Sequence, residues 1–328
     1  AADAVPEILV VNSYHRGYSW SDEVESGLRE RLASSGRAIE LSVEYLDSRR
    51  FTDPSLAEAL VQVLAAKYDS YPPDLVIVSD NAAFDFALRY RERLFPDRPL
   101  VFCGYNNFRP AVLNGISGVT GVNEEIDMAA TVELALRVQP DTRTLAFITS
   151  TGEASSRRIA EIAAAEVLPR YRDRFEVVEI KDASMAEIGE QLARLPKNTV
   201  VFLAGQTRDQ GPGRALTPEE NGRLISAASP FPVYTFWDFH LNTGVLGGHV
   251  LTGADQGRAA ADLALRILAG TPIADLPVVM TSPAQDIFDE RVLKRFGIAP
   301  EHLPPASVII NRPDSAWVRY RGLILGIS

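Results

Sequence analysis

The residues that could carry out catalysis are few and do not form a recognisable pattern. The sequence contains no Gly-x-Ser-x-Gly elbow, no Walker loop, no dinucleotide fingerprint and no His-Glu-x-x-His motif. Its four histidines, His15, His240, His249 and His302, lie far apart and lack the spacing of metal ligands. Cys103 lies in an apolar run, which is typical of a small core residue. We therefore expect neither a cofactor nor a metal, and binding requires fewer assumptions than catalysis.

Polar and aromatic side chains follow several predicted strands in the first half of the chain, where open α/β sheets bind ligands. Hydroxyls, amides and an aromatic face at these points could hydrogen-bond and stack a small molecule. Ser79-Asp80-Asn81 could also cap the next helix, and capping is compatible with anion binding at a helix start. Trp20 could instead pack the turn between strand and helix. The candidates are Ser13, Tyr14, Trp20, Asp80, Asn81, Tyr105 and Asn106.

Similar loops follow the predicted strands of the second half. The loop from Ser150 to Ser155 consists mainly of small residues at a helix start and could bind an anion. Trp237 beside Asp238 would hold a cationic or amino-bearing ligand by stacking, cation–π attraction and a charged hydrogen bond. Alternatively, the tryptophan covers the edge of a lobe and Asp238 caps a helix. The candidates are Ser150, Ser155, Gln206, Trp237 and Asp238, with Glu124 as either a hinge residue or a partner for an amine.

Alternating strands and helices must position these loops. Short β-branched runs are followed by longer segments of helical period, which predicts an α/β fold with parallel sheets. Strands are predicted at residues 7–11, 39–45, 75–78, 100–102, 144–149, 175–180, 200–203, 233–236 and 307–310. Helices are predicted at residues 21–33, 54–67, 82–94, 128–138, 155–168, 186–195, 218–228, 255–268 and 290–296. We expect a serine to cap the first of these helices.

Length and charge narrow the possibilities further. The 328 residues exceed the size at which single cores usually stop growing, so the alternation predicts two doubly wound lobes. The late elements would return to the first lobe and then to the second, and such crossovers form a hinge beside a cleft. The net charge of −10 repels phosphate backbones, and no basic stripe offsets it. Nucleic acid is therefore not an expected partner.

Four stretches of the sequence resemble one protein family: residues 12–22, 115–123, 255–270, and 296–300 with 304–311. They are similar to ABC-type substrate-binding proteins of periplasmic binding protein type I architecture. The likeness is to the variant used as the extracytoplasmic sensor domain of bacterial histidine kinases and diguanylate cyclases. This resemblance implies two Rossmann-like lobes, a hinge, an interlobe cleft for a small molecule, and no catalysis in this region.

The expected domains combine this likeness with the crossovers. Lobe 1 would contain residues 1–122 and about 251–285, and lobe 2 would contain residues 123–250 and about 286–313. Residues 314–328 would form a juxtamembrane linker and the start of a membrane helix, because aromatic and basic residues precede an apolar run there. A terminal strand or helix docked on the domain is the alternative. Residues 1–4 resemble what signal-peptide cleavage leaves behind.

The sequence thus predicts the periplasmic sensor domain of an inner-membrane protein, which signals when a ligand closes its lobes. The expected ligand is an amino acid, a small peptide, a nucleobase or an organic acid. Other expected partners are its own membrane helix, a cytoplasmic signalling module and a second copy, since membrane sensors commonly work as dimers. The alternatives are the solute-binding subunit of an ABC importer and an enzyme on a doubly wound fold.

Overall fold

A five-stranded parallel sheet forms the centre of the first lobe. The computed structural model describes residues 5–106, 108–152, 154–205, 216–282 and 284–312. The strands of this sheet are β1 (Glu7–Asn12), β2 (Glu40–Tyr45), β3 (Leu75–Ser79), β4 (Leu100–Asn106) and β5 (Val119–Glu124). Their order is β2-β1-β3-β4-β5, and every neighbouring pair is parallel.

Helices cover both faces of this sheet. They are α1 (Ser19–Ser34), α2 (Pro54–Asp69) and α3 (Asp80–Leu94). Successive residues of β1 pack into different cores: Ile8 and Val10 join the core that contains α1 residues, whereas Leu9 and Val11 join that of α2 and α3. This two-residue alternation explains why the central strands are apolar throughout.

The second lobe is built on a seven-stranded sheet. Its strands are β6 (Thr144–Thr149), β7 (Glu176–Lys181), β8 (Thr199–Leu203), β9 (Val233–Thr235), β10 (Gly247–Leu251), β11 (Ala284–Asp289) and β12 (Val308–Ile310). The strand order is β12-β11-β10-β9-β8-β6-β7. Only β10 and β11 pair antiparallel among the described strands.

Of the remaining α-helices, α9 (Gly253–Leu268) packs back on the first lobe. The others are α4 (Met128–Val138), α5 (Ala154–Ile162), α6 (Leu168–Tyr171), α7 (Met185–Arg194), α8 (Pro218–Ala228) and α10 (Glu290–Phe296). A β-carbon at Gly27 of α1 would lie 2.0 Å from the carbonyl oxygen of Ala254, and one at Gly257 would lie 2.1 Å from that of Val24. These glycines therefore permit α9 to cross α1 at close range.

The chain crosses between the lobes after β5, after β10 and before β11. β5 ends in the first sheet, whereas α4 packs against β10 of the second. α9 then contacts α1, β4 and β5, and β11 lies in the second sheet again. These connections are the expected crossovers, although the domain bounds stay a prediction. The predicted linker and membrane segment at 314–328 lies outside the described residues. Among the residues that the structure describes, no helix is long and apolar enough to span a bilayer.

The two α/β lobes predicted from the sequence are confirmed, while several local predictions are wrong. Strands β5, β10 and β11 are absent from the sequence prediction. In β10 the sheet requires a glycine at position 247, because a β-carbon there would lie 1.8 Å from the Ile287 carbonyl oxygen. Helix α1 begins after Tyr18, whose side chain makes no capping bond, so the expected serine cap is absent. The helix predicted at 155–168 changes to a π-helical turn over Ala163–Val167 before the proline of α6.

Candidate functional site

A narrow cavity lies between the two lobes at the carboxyl ends of their strands, the usual ligand position in open α/β sheets. Its empty volume is about 430 Å³, part of which is open to solvent. Aromatic rings and carboxylates are prominent in its lining. The lining residues are Tyr14, Tyr18, Trp20, Asp80, Asn106, Glu124, Ser155, Ser156, Ile159, Gly205, Trp237 and Phe239.

Two buried tryptophans each donate an indole N–H to a buried carboxylate. Trp20 Nε1 donates to Asp80 Oδ2 at 2.9 Å, and Trp237 Nε1 donates to Glu124 Oε1 at 2.7 Å. Phe239 contacts both tryptophans, with its ring edge-to-face against Trp20 and stacked on Trp237. The cavity thus combines flat aromatic surfaces with two buried carboxyl groups.

The backbone around Asp80 is adapted to the first of these pairs. Asp80 adopts a left-handed φ of 71°, which costs a non-glycine residue about 1–3 kcal/mol. The Ser79 hydroxyl donates to Asp80 Oδ2 at 2.9 Å and helps to hold the side chain. Gly104 lies against the pair with a φ of 65°, and a β-carbon there would lie 3.3 Å from both Asp80 Oδ2 and Trp20 Nε1. Glycine at 104 therefore leaves room for the pair.

Glu124 and Asn106 form the adjoining part of the wall at the ends of β5 and β4. Burial raises the pKa of Glu124 well above its usual value, and the charges of Asp80 and Asp238 raise it further. Hydrogen bonds from Trp237 and Asn106 lower this pKa in part. Asn106 Oδ1 is buried and has no hydrogen-bond partner among the described residues. The wall therefore holds an acceptor that no donor of the described protein satisfies.

Polar contacts join the two lobes across the mouth of the cavity. The Tyr14 hydroxyl lies 3.0 Å from the Ser155 hydroxyl of α5. Arg49 donates to the Tyr18 hydroxyl at 2.6 Å and to the Leu216 carbonyl oxygen at 3.1 Å. The guanidinium of Arg49 is thus hydrogen-bonded beside the cavity. The described lining residues include two carboxyl side chains and neither lysine nor arginine.

Comparison with known proteins identifies the family. A model of the ABC transporter substrate binding protein family matches residues 113–303, more than half of the chain. The chain belongs to this family. The sequence finds no match among curated proteins.

Solved structures share the fold of this substrate-binding protein at low sequence identity. A ligand-free, open substrate-binding protein with adhesive properties from Clostridium difficile is 17% identical, with a TM-score of 0.67, over 94% of this chain and 100% of its own. An ABC domain in complex with L-Trp from Streptococcus pneumoniae is 17% identical, with a TM-score of 0.68, over 94% and 100%. A conserved domain protein from Vibrio cholerae is 16% identical, with a TM-score of 0.67, over 93% and 99%. These likenesses show the fold.

The substrate-binding proteins of ABC transporters are extracytoplasmic binding proteins rather than enzymes, in agreement with the reading of the sequence. Cys103 is fully buried, and burial is the main cause of its raised pKa, which makes it a core residue. Burial also lowers the pKa of His240 to about 3, and its ring lies 2.7 Å from the Thr235 hydroxyl. Within the described ranges, no group of His, Cys, Asp and Glu could hold a metal.

The structure gathers more than half of the predicted site residues of this substrate-binding protein around the cavity. They come from loops that are far apart in sequence, as expected for the carboxyl ends of parallel strands. Their role in ligand binding stays a prediction, and Gln206 lies outside the described residues. The predicted residues on the cavity are Tyr14, Trp20, Asp80, Asn106, Glu124, Ser155 and Trp237.

Ser13 and Asn81 support the backbone instead of lining the cavity. The Ser13 hydroxyl donates to the Ser79 carbonyl oxygen at 2.7 Å and accepts the Ala83 N–H of α3 at 2.8 Å. Ser79 occupies the N-cap position but makes no capping bond with its side chain, so the expected local cap is replaced by Ser13, which directly follows β1. Asn81 Oδ1 accepts the Asn106 N–H at 3.3 Å.

Tyr105 packs into the first lobe. Its ring lies 4.8 Å from that of Phe84 and 5.9 Å from that of Phe102, within the core shared by α2 and α3. Neighbouring residues of a strand point to opposite faces, so Asn106 lines the cavity and Tyr105 does not. The sequence prediction ended this strand at Phe102 and therefore missed the alternation.

Ser150 and Asp238 also lie outside the lining. The Ser150 hydroxyl accepts the Gly152 N–H at 3.3 Å within its own turn. Asp238 approaches the N–H of Gly253 at the start of α9, and this contact lowers its pKa. Burial and the charge of Glu23 outweigh that effect and raise the pKa to about 7. Asp238 thus faces the junction between the lobes.

The sequence reasoning missed some of the lining residues. Ile159 follows Ser155 by four positions in α5, so helical periodicity could have identified it. Gly205 permits close approach of two loops, because a β-carbon there would lie 2.8 Å from the Ser150 nitrogen. Tyr18 and Phe239 carry no comparable signal. The missed residues are Tyr18, Ser156, Ile159, Gly205 and Phe239.

Proposed function

We propose that this chain is the extracytoplasmic sensor domain of a membrane signal-transduction protein and captures a small molecule between its lobes. The observation that carries the proposal is the interlobe cavity with its two buried indole–carboxylate pairs. A ligand there would contact side chains from both lobes. It would bind more tightly to the closed arrangement than to an open one and would shift the equilibrium toward closure.

Contacts between the lobes stabilise the closed arrangement. Tyr14 with Ser155, and Arg49 with the carbonyl oxygen of Leu216, join loops of the first lobe to the second. Separation of the lobes would break both contacts. The neutral bond between Tyr14 and Ser155 contributes only about 0.5–1.5 kcal/mol, and the charged donor Arg49 contributes about 1.5–3 kcal/mol, so a ligand with several contacts would dominate the balance.

The end of β12 is connected to the cleft wall of the second lobe. Asn311 Nδ2 donates to Asn242 Oδ1 and to Asp289 Oδ2, both at 2.8 Å. Asn242 follows Trp237 by five positions in the same loop. A displacement of that loop would therefore reach Asn311, and in our proposal the chain beyond it carries the change to a membrane helix and a histidine kinase module.

The ligand is proposed to have the size of an amino acid. The cavity is narrow and aromatic, and the solved neighbour from Streptococcus pneumoniae is in complex with L-Trp. A second copy of the chain is a further proposed partner, through which paired sensors would report closure. The periplasm is the proposed compartment, with the signalling protein in the inner membrane.

A subunit that delivers its ligand to an ABC importer is the second candidate, and the family description itself favours it. The continuation of the gene separates the two proposals. A membrane span followed by a kinase or cyclase module would support the sensor. A stop codon directly after Ser328 would contradict the sensor and leave the importer subunit.

Binding itself can be tested by a thermal-shift screen of this chain against amino acids, small peptides, nucleobases and organic acids. A ligand at 100 times its Kd stabilises the protein by about 2.7 kcal/mol. Trp237→Ala should abolish the shift, whereas Tyr71→Ala, an exposed residue outside the lining, should retain it. No shift with any compound would contradict the binding function.

A further inference from the structure

Helices α2 and α3 border a groove on the first lobe that is separate from the interlobe cavity. Its empty volume is about 930 Å³, part of which is open to solvent. Phe51, Leu56 and Leu60 line it in and before α2, and Phe86 and Tyr90 line it on α3. The groove is therefore largely apolar although it lies at the surface.

The α2 helix is apolar on its outward side as well as on its packed side. Val61 and Leu64 are among its buried residues. Leu56 and Val63 are seven positions apart and share a face of the helix, where they are 48% and 54% exposed. Phe51, just before the helix, is 58% exposed. Val63 does not line the groove, so a small molecule bound there would leave it uncovered, and a protein surface fits this face better.

Two opposite charges of α3 lie on the same face without an ion-pair partner. Asp85 and Arg89 are exposed, line the groove and are four positions apart. Neither forms a hydrogen bond or an ion pair with any residue that the structure describes, although Arg89 lies over the Tyr90 ring. The neighbouring Glu58 and Arg93, in contrast, pair with each other between the two helices. Partial burial raises the pKa of Asp85, which a guanidinium beside it would lower again.

We propose that this face, formed by α2, α3 and the groove between them, binds a second copy of the chain about a two-fold axis. The axis would run across both helices, so that each helix lies antiparallel to its own copy. Asp85 of one copy would then meet Arg89 of the other, and the same ion pair would form a second time. Leu56 and Val63 would meet across the axis in the same way.

The positions of these residues favour a second copy over a different protein. The midpoint of the charged pair lies next to Phe86 and that of the apolar pair lies next to Leu60, and both of these residues line the groove. One axis can therefore serve the charged and the apolar contacts at once, which makes the face complementary to itself. The inference extends the proposed function, in which a second copy takes part, by naming the surface of contact.

An exchange of charges tests the pairing. Sedimentation of the parent chain should show a reversible dimer. Asp85→Arg alone and Arg89→Asp alone each bring like charges together twice and should raise the dimer Kd at least about tenfold. A mixture of the two single variants should form mixed dimers, and the variant with both changes should dimerise again, because opposite charges meet in each case. A fold defect would not be repaired in this way.

Engineered disulfides locate the axis. Ala59→Cys places a thiol beside the proposed axis, where the two copies come close enough to crosslink under mild oxidation. Ala66→Cys, on the same exposed side of α2, is the matched control. Its two thiols would lie roughly 20 Å apart along the antiparallel helices and should not crosslink. The native Cys103 is buried and does not compete.

A charge in the apolar part of the face should also prevent dimerisation. Val63→Glu should give a monomer, whereas Leu224→Glu, at an exposed apolar position of α8 in the second lobe, should dimerise as the parent does. A parent that stays monomeric at about 1 mM would overturn the proposal, because tethered modules work at effective concentrations of that order. The face would then serve a different protein or a small molecule. A dimer that tolerates both single charge variants, or that crosslinks through Ala66→Cys and not through Ala59→Cys, would overturn it as well.

This proposal and the ligand-binding function fail separately. A monomeric parent that still shows a thermal shift would overturn the interface and leave ligand binding intact. A dimer of the expected geometry that shows no shift with any compound would overturn ligand binding and leave the interface.

Discussion

The two indole–carboxylate pairs of the cavity resemble each other chemically but differ in what they connect. Trp20 and Asp80 both belong to the first lobe, following β1 and β3. Glu124 ends β5 of the first sheet, whereas Trp237 follows β9 of the second. The first pair is therefore part of a fixed wall, and the second depends on the arrangement of the lobes. The same contact can thus serve stability in one place and closure in the other.

Removal of the first indole should have the largest effect. Trp20→Ala deletes a side chain that is 2% exposed and should lower the free energy of unfolding by about 3–5 kcal/mol. Chemical denaturation of the ligand-free protein measures this loss. Tyr71→Ala, at an exposed position, should change it by less than about 0.5 kcal/mol. If Trp20→Ala lowers the free energy of unfolding no more than Tyr71→Ala does, the Trp20–Asp80 pair does not belong to a fixed wall of the first lobe.

Conversion of each tryptophan to phenylalanine keeps most of the ring surface and removes the N–H donor. Trp20→Phe should cost the empty protein about 1–3 kcal/mol, because Asp80 loses a donor while buried. Trp237→Phe should instead reduce ligand-induced stabilisation more than it reduces basal stability. Melting curves with and without ligand separate the two effects. Equal behaviour of both variants would remove the distinction between the pairs.

The junction beside Trp237 should respond to pH. Asp238 has a folded pKa of about 7, above its usual 3.8, so the folded state keeps a proton that the unfolded chain releases. The free energy of unfolding should therefore fall as pH rises from about 4 to 7 and then level off. Asp238→Asn should flatten this slope, whereas Asp69→Asn, an exposed control, should not. An unchanged slope in Asp238→Asn would contradict the assignment.

The direct hydroxyl contact between the lobes should have the smallest effect. Tyr14→Phe removes the contact with Ser155 and should weaken ligand binding by about two- to tenfold, as for one neutral hydrogen bond. The stability of the empty protein should hardly change. A loss above a hundredfold, measured by calorimetry, would show that Tyr14 contacts the ligand directly.

Sequence reasoning located the loops of the site because parallel strands must bring their carboxyl ends together. It could not decide which side chain of a loop faces the cavity. Asn106 and Tyr105 differ by one position, and their opposite directions depend on how far β4 extends. Trp237 and Asp238 are neighbours in sequence, but the N–H of Gly253 at the start of α9 approaches the Asp238 carboxylate, so only Trp237 lines the cavity.

Long-range contacts explain other errors of prediction. Ser79-Asp80-Asn81 is a plausible helix cap by local rules, yet the cap of Ala83 comes from Ser13, which lies 70 positions earlier. Strand β10 begins with Gly247-Gly248, and the neighbouring strand β11 leaves no room for a β-carbon at Gly247. Such pairings depend on the assembled sheets and have no local signal.

A crystal structure of the chain with the compound that gives the largest thermal shift tests the central claim most directly. We expect the ligand between the lobes, in contact with Trp20 and Asp80 on one side and with Trp237 and Glu124 on the other. A ligand bound to one lobe alone, or outside this cavity, would contradict the account.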